Sequence, residues 1–201
     1  MLQDFVVEYK PFSNNKGKMI KAIAFDLGGC LIWENDIEMT PQEEILEKEF
    51  GNINSDEEYF AWATQTLSLS EKEIKSILEN LWPKLYYLKE EWIFEKILEE
   101  YPQMIFAVAS NHISLVKESL RHLWVLDEFK VVLISWDCGY EKPEEWFYQL
   151  LTKKLWMGAG EILFIDDSEK NIEGAKKVWL HTIHYQRKKL LSESILNYLV
   201  K

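Results

Sequence analysis

Three short apolar runs in this chain end on polar residues of a kind that can do chemistry. Ala22-Ile23-Ala24-Phe25 stops at Asp26, with Gly28 and Gly29 just behind it. Ile105 to Ala109 stops at Ser110-Asn111, and Ile162 to Ile165 stops at Asp166-Asp167. A fourth signal, Lys142-Pro143, follows the run that ends at Ser135. A carboxylate at the tip of a buried strand is costly without a metal or hydrogen bonds to offset it. Several carboxylates brought to one edge repel and raise each other's pKa. A hard divalent cation relieves that repulsion, and a few oxygen donors completed by water describe Mg²⁺ better than zinc. The expectation is that a cation and a lysine share the site of Asp26. Taken singly, each signal also has a plain structural reading. Asp26 could be a turn or cap residue, Ser110-Asn111 and Asp166-Asp167 could cap the helices that follow, and Lys142 could be a solvated turn lysine.

The elements that would bring these residues together are legible. Residues 20–26 read as a buried parallel strand, because an apolar run is followed at once by a turn signal. Residues 105–109, 131–135, 162–165 and 181–185 read as further strands, alternating with helices near 92–100, 113–123, 144–155 and 169–178. Strand and helix in turn give an α/β fold, a doubly wound parallel sheet, whose ligands bind at the carboxyl ends of the strands. Residues 40–100 differ: they are rich in Glu, Lys, Leu and Ile at helical spacing and show no strand-like run. Thr40-Pro41-Gln42-Glu43 and Ser70-Glu71-Lys72-Glu73 have the spacing of helix starts. Residues 1–18 read as a loose extension.

The totals exclude some classes. The chain has 201 residues and a formal net charge of −11, which a nucleic-acid backbone would repel. A small phosphorylated molecule feels only the local field. Cys30 and Cys138 lack metal-ligand spacing and read as reduced thiols. The four histidines, His112, His122, His181 and His184, have no ligand spacing either; His112 adjoins the site but fits packing better. No apolar run approaches the ~20 residues that span a bilayer, and the first residues show no signal-peptide core. A cytoplasmic protein, monomer or homodimer, without nucleic-acid or membrane partners is expected.

Four motifs in order, FDLGG (25–29), ASN (109–111), GYEKP (139–143) and FIDDSEKNIEGA (164–175), resemble those of the haloacid dehalogenase superfamily of phosphatases and phosphotransferases. With their strands they cover most of residues 20–185, and the DLGG form is similar to a bacterial branch that acts on sugar phosphates. The resemblance implies a Rossmann-like core at 19–32 and 96–201, a small helical cap at 33–95, and residues 1–18 outside both. It implies a Mg²⁺-dependent phosphatase acting on a small phosphorylated metabolite through an aspartyl-phosphate. Asp26 would be the nucleophile. The Gly28 carbonyl, Asp167 and Asp26 itself would hold the metal, with Asp166 holding a metal-bound water. Ser110, Asn111, Lys142 and Gly29 would bind the phosphoryl group, and Lys142 would neutralise charge between it and Asp26. Asn171 and Ser168 would orient the acidic loop. Phosphoryl transfer needs mostly such positioning and charge cancellation.

One position departs from the pattern. Most of the family's phosphatases carry a second Asp two residues after the first, as general acid, where this chain has Gly28. General-acid help is worth ~10²–10⁴-fold. Its absence matters least for a good leaving group such as the anomeric oxygen of a sugar 1-phosphate. A water, Glu34 or Asp36 could supply the proton. The competing readings are a metal-independent haloacid dehalogenase, whose nucleophile also lacks the second Asp, and a catalytically silent binding or regulatory protein. The Asp166-Asp167 pair counts against the dehalogenase.

Tryptophan and glycine are out of balance. The chain has 9 Trp and 8 Gly, whereas a usual ~7% glycine would give about 14. Trp124, Trp136, Trp146, Trp156 and Trp179 stand where the resemblance leads one to expect glycine, several of them just past a helix end, the position glycine takes because it adopts φ > 0 freely. A Trp-rich core is one explanation; a glycine codon, UGA for instance, translated as Trp is the other.

Overall fold

The computed structural model describes residues 20–50, 53 and 55–200; the extension read over 1–18 lies outside them. In chain order the elements are β1 (Ala22–Phe25), β2 (Ile32–Glu34), α1 (Pro41–Glu47), α2 (Asp56–Leu67), α3 (Glu71–Leu85), β3 (Tyr86–Leu88), α4 (Ile93–Glu100), β4 (Ile105–Ser110), α5 (Val116–His122), β5 (Phe129–Ile134), α6 (Ser135–Cys138), α7 (Glu145–Leu155), β6 (Ile162–Asp166), α8 (Glu169–Lys177), β7 (His181–His184) and α9 (Leu191–Leu199). Five strands form one sheet in the order β5-β4-β1-β6-β7, all parallel. The expected doubly wound α/β fold is therefore present. No described helix is long and apolar enough to cross a membrane.

The central strand shows why an apolar run was needed. All of Ala22–Phe25 is buried, because both neighbours of β1 are strands and both sheet faces are covered. Side chains alternate between the faces. Ile23, Phe25, Phe106, Val108, Leu163 and Ile165 join one hydrophobic cluster, and the small Ala22, Ala24, Ala107 and Ala109 face another. The alanines leave room for Phe147 and Tyr148 of α7, which pack edge to face against each other, with Tyr148 in turn against Phe164. The register matters for the site. Phe25 lies level with Val108 on one side and Ile165 on the other, so Asp26 and Asp166, each the next residue, emerge side by side. The chain leaves β1 for β4 and β5 on one flank and returns to β6 and β7 on the other, a switch point that opens a crevice at the strand ends.

Helices α1–α3 lie between β2 and β3. Thr40 and Ser70 each start a helix with a complete capping box, Thr40 with Glu43 and Ser70 with Glu73, as their spacing predicts. Tyr59, Ala63, Ile74, Leu78 and Leu81 belong to the same hydrophobic cluster as Phe25 and Phe94, so these helices are packed onto the core.

Two readings are corrected. The 40–100 stretch does contain a strand: β3 pairs antiparallel with β2. Each is only three residues long and mixes buried with exposed positions, too short for a period to show. Ser135 is the start of the short helix α6 rather than the end of a strand. The C-terminal helix α9 adds an element beyond those read from the sequence. It is tied down by Glu90, whose buried carboxylate accepts from the backbone N–H of Leu191 and Ser192 and from Ser192 Oγ.

Candidate active site

The end of β1 is a dense ionic knot. Asp26 Oδ1 accepts from Ser110 Oγ at 2.8 Å and from Lys142 Nζ at 2.7 Å. Lys142 Nζ also reaches Asp166 Oδ2 at 2.6 Å, and it lies 5.4 Å from the centre of the Phe164 ring. Lys142 is thus a buried cation clamped between two buried carboxylates. Burial works against its charge, but Asp26 and Asp166 outweigh that, and its pKa is raised. One cation cannot satisfy two anions. Burial is the main cause that raises the Asp166 carboxyl, Lys142 opposes it, and Asp26 adds to it. With both carboxylates ionised, the knot carries one negative charge in excess.

The elements fix each member. Asn111 uses both ends of its amide on the lysine loop: Nδ2 donates to the Lys142 carbonyl at 2.9 Å and Oδ1 accepts from the Lys142 N–H at 2.8 Å. The structure therefore places the Asn111 side chain as a clamp on Lys142. Asp166, fully buried at the end of β6, accepts from the Ser168 N–H at 2.8 Å and from Asn171 Nδ2 at 3.0 and 3.2 Å. Asn171 and Ser168 thus orient this acid, Ser168 through its main chain. Both oxygens of Asp166 are engaged, so it faces Lys142 rather than the open crevice.

Asp167 turns the other way. Oxygens of Asp26 and Asp167 lie within 4.8 Å of each other, with Cys30 Sγ completing the group. Burial, then the charge of Asp26, pushes the Cys30 thiol well up. A neutral thiol is a poor ligand for a hard cation, so the donor set that fits is the carboxylate pair. Gly28 is exposed and Gly29 sits at φ +74° in the turn that follows, its N–H bonded to the Ile32 carbonyl at 3.1 Å.

The family pattern of haloacid dehalogenase-like hydrolases matches residues 23–184, from the second residue of β1 to the end of β7. The chain belongs to this family. Solved structures share the fold. A predicted HAD-like family hydrolase from Porphyromonas gingivalis is 24% identical, with a TM-score of 0.67 over 91% of this chain and 99% of that one. A HAD family enzyme from Bacteroides thetaiotaomicron, in complex with magnesium and inorganic phosphate, is 20% identical, with a TM-score of 0.64 over 87% and 98%. A HAD phosphatase from Thermococcus onnurineus is 16% identical, with a TM-score of 0.59 over 85% and 88%. No protein of curated function matches the chain in sequence.

In this hydrolase two residues at the site carried no sequence signal. Arg187, in the loop after β7, pairs its guanidinium with Asp167 Oδ2 and lies 5.0 Å from the centre of the Trp33 ring. A Cβ on Gly29 would meet that guanidinium at 2.1 Å, so the bare glycine is what admits it. Its place in a basic stretch, Arg187-Lys188-Lys189, reads as solvated surface. Tyr86, on β3, lies with its hydroxyl 3.3 Å from His112 Nε2 and so joins the helical insert to the core. Glu34, the last residue of β2, and Asp36, two residues beyond it, are exposed. A cleft of about 390 Å³ opens beside Asn111, His112, Trp136 and Tyr140. Its walls include neither Asp26 nor Asp167, so the ionic knot lies outside it.

His112 gives the hydrolase an acid-sensitive joint. Its Nδ1 accepts from the Ile113 N–H at 2.9 Å, and desolvation holds the imidazole down at about 4 against the upward pull of Asp26. A folded pKa below the unfolded one contributes stability above about pH 6.5, which is lost as pH falls toward 4. Urea unfolding at pH 7 and pH 4.5 should show an acid loss in the wild type that exceeds that of His112→Gln by roughly 2–3 kcal/mol. Equal losses would remove His112 as the titrating group.

Proposed function

We propose that the protein is a Mg²⁺-dependent phosphatase that hydrolyses a small phosphorylated metabolite, a phosphomonoester of the sugar-phosphate kind, through an aspartyl-phosphate on Asp26. The observation that carries this reading is the one-sided use of Asp26. Ser110 and Lys142 both bond to Oδ1, and among the described residues no hydrogen bond reaches Oδ2. Oδ2 is left to attack phosphorus while Lys142 and Ser110 hold the carboxylate still and draw off charge. The bond to the leaving oxygen breaks, and water then splits the acyl phosphate. Asp26, Asp167 and the Gly28 carbonyl would hold Mg²⁺, which would supply positive charge to offset the phosphate and the nucleophile. The Bacteroides relative, crystallised with magnesium and inorganic phosphate, supports that choice of cation. Helices α1–α3 would form the cap over the crevice.

Release of p-nitrophenol from p-nitrophenyl phosphate tests the proposal, since this leaving group needs no acid. The expected result is turnover that depends on Mg²⁺ and stops with EDTA. No turnover with Mg²⁺ would favour the silent binding protein, for which Gly28 is the supporting observation. Halide release from a haloacid, indifferent to EDTA, would favour the dehalogenase.

Gly28 also yields a gain-of-function prediction. A Cβ built there meets nothing within 4 Å, and its φ is not in the left-handed region. Gly28→Asp should fit and place a carboxyl two residues after the nucleophile. The ratio of the rate on an alkyl phosphate to that on p-nitrophenyl phosphate should rise by about 10–10²-fold, because only the poor leaving group needs the proton. An unchanged ratio would mean that another group already protonates the leaving oxygen.

A further inference from the structure

Three helices of this protein end in the same hydrogen-bonded figure. After α5, the Val125 N–H reaches back to the Leu120 carbonyl at 3.1 Å and the Trp124 N–H to Arg121 at 3.1 Å. After α7, Met157 bonds to Thr152 and Trp156 to Lys153, both at 3.2 Å. After α8, Leu180 bonds to Ala175 at 3.2 Å and Trp179 to Lys176 at 3.0 Å. These nested pairs are the Schellman closure of a helix, whose next-to-last residue must be left-handed and is normally glycine. In each case that residue is tryptophan, at φ 59°, 56° and 67° for Trp124, Trp156 and Trp179. For a bulky side chain this conformation is a clear outlier.

Strain of this kind persists where something repays it, and nothing here does. The three side chains are 90%, 91% and 83% exposed, so the indoles make almost no packing contacts. None reaches the ionic knot. By contrast α6 ends on Gly139, left-handed at φ 70°, where the chain has the residue the geometry asks for. The other suspect positions separate cleanly. Trp136 and Trp146 lie within α6 and α7 on helical backbone, and Trp136 packs against Tyr59 with ring centres 6.3 Å apart. Those two positions make no demand for glycine.

We infer that residues 124, 156 and 179 are glycine in the protein its own organism makes, each encoded by UGA and decoded there as glycine. Random drift at three exposed helix ends would scatter over many small or polar residues. Three identical replacements by the bulkiest residue, each at the one backbone position that excludes it, point to a single cause in decoding. UGA lies one base from the tryptophan codon UGG and one base from the glycine codon GGA. The inference concerns the chain itself and does not depend on the phosphatase reading.

Two measurements decide it. The gene should carry UGA at codons 124, 156 and 179 and UGG at codon 82, where Trp82 is buried and stacked on Phe50 at 4.9 Å. Peptide mass spectrometry on protein from the source cells should then find glycine at all three positions. UGG at these codons, or tryptophan in the peptides, overturns the inference. Separately, Trp124→Gly, Trp156→Gly and Trp179→Gly, made in the chain as written, should each raise Tm by about 2–4 °C and together by roughly 6–12 °C. A combined variant no more stable than the starting chain would show that the helix ends do not call for glycine, and would overturn it as well.

Discussion

Asp26→Asn is expected to lose turnover by roughly 10⁴-fold or more while the protein becomes no less stable. The first half follows from covalent chemistry: a neutral amide has no charged oxygen to attack phosphorus, and losing a nucleophile is among the costliest single changes an enzyme can suffer. The second half follows from the ionic knot. Asp26 and Asp166 compete for one buried ammonium, and Asp26 is one of the causes that raise the Asp166 carboxyl. The amide keeps an oxygen where Ser110 and Lys142 already bond at Oδ1, and it removes the surplus negative charge. Urea unfolding in EDTA should therefore show equal or greater stability in the variant. Retained turnover would remove Asp26 as the nucleophile. Lost turnover with a large loss of stability would mean that the carboxylate is mainly structural.

How far this arrangement could be read in the sequence depended on whether the signal was local. Asp26, Ser110 and Asp166 were findable because each ends a strand buried on both faces, and such strands are written as unbroken apolar runs. Which acid of Asp166-Asp167 faces Lys142 was decided by strand parity. Asp166 shares the face of Ile162 and Phe164, and Lys142 lies over that same Phe164 ring. The resemblance makes Asn111 a phosphate contact; in the structure its side chain grips the main chain of Lys142, 31 residues away. Arg187 reaches Asp167 from a loop after the last strand, and no spacing in the chain announces that approach. The tryptophans show the reverse case. Their position past three helices was legible, but only the backbone angles separate 124, 156 and 179 from 136 and 146.

Lys142→Met should unfold more easily by about 3–5 kcal/mol near neutral pH, besides losing activity. Methionine keeps much of the stem that packs beside Phe164, so the loss reports the missing charge more than missing volume. Removing one partner from a buried ionic cluster leaves the others desolvated and unpaired, and that is the costly event. Here it strands both Asp26 and Asp166 in a buried setting. The pH dependence identifies the cause. The Asp166 carboxyl is already raised by burial with Lys142 opposing, so in the variant it rises further. A carboxyl whose folded pKa lies above the unfolded one favours the fold at low pH and penalises it as pH rises through the folded value. The gap between variant and wild type should therefore narrow from pH 8 to pH 5, measured in EDTA. His112 titrates in both proteins and cancels in the difference. A gap that stays constant with pH would assign the loss to packing, and Lys142 would then be a space-filling residue rather than the charge that makes the end of β1 habitable.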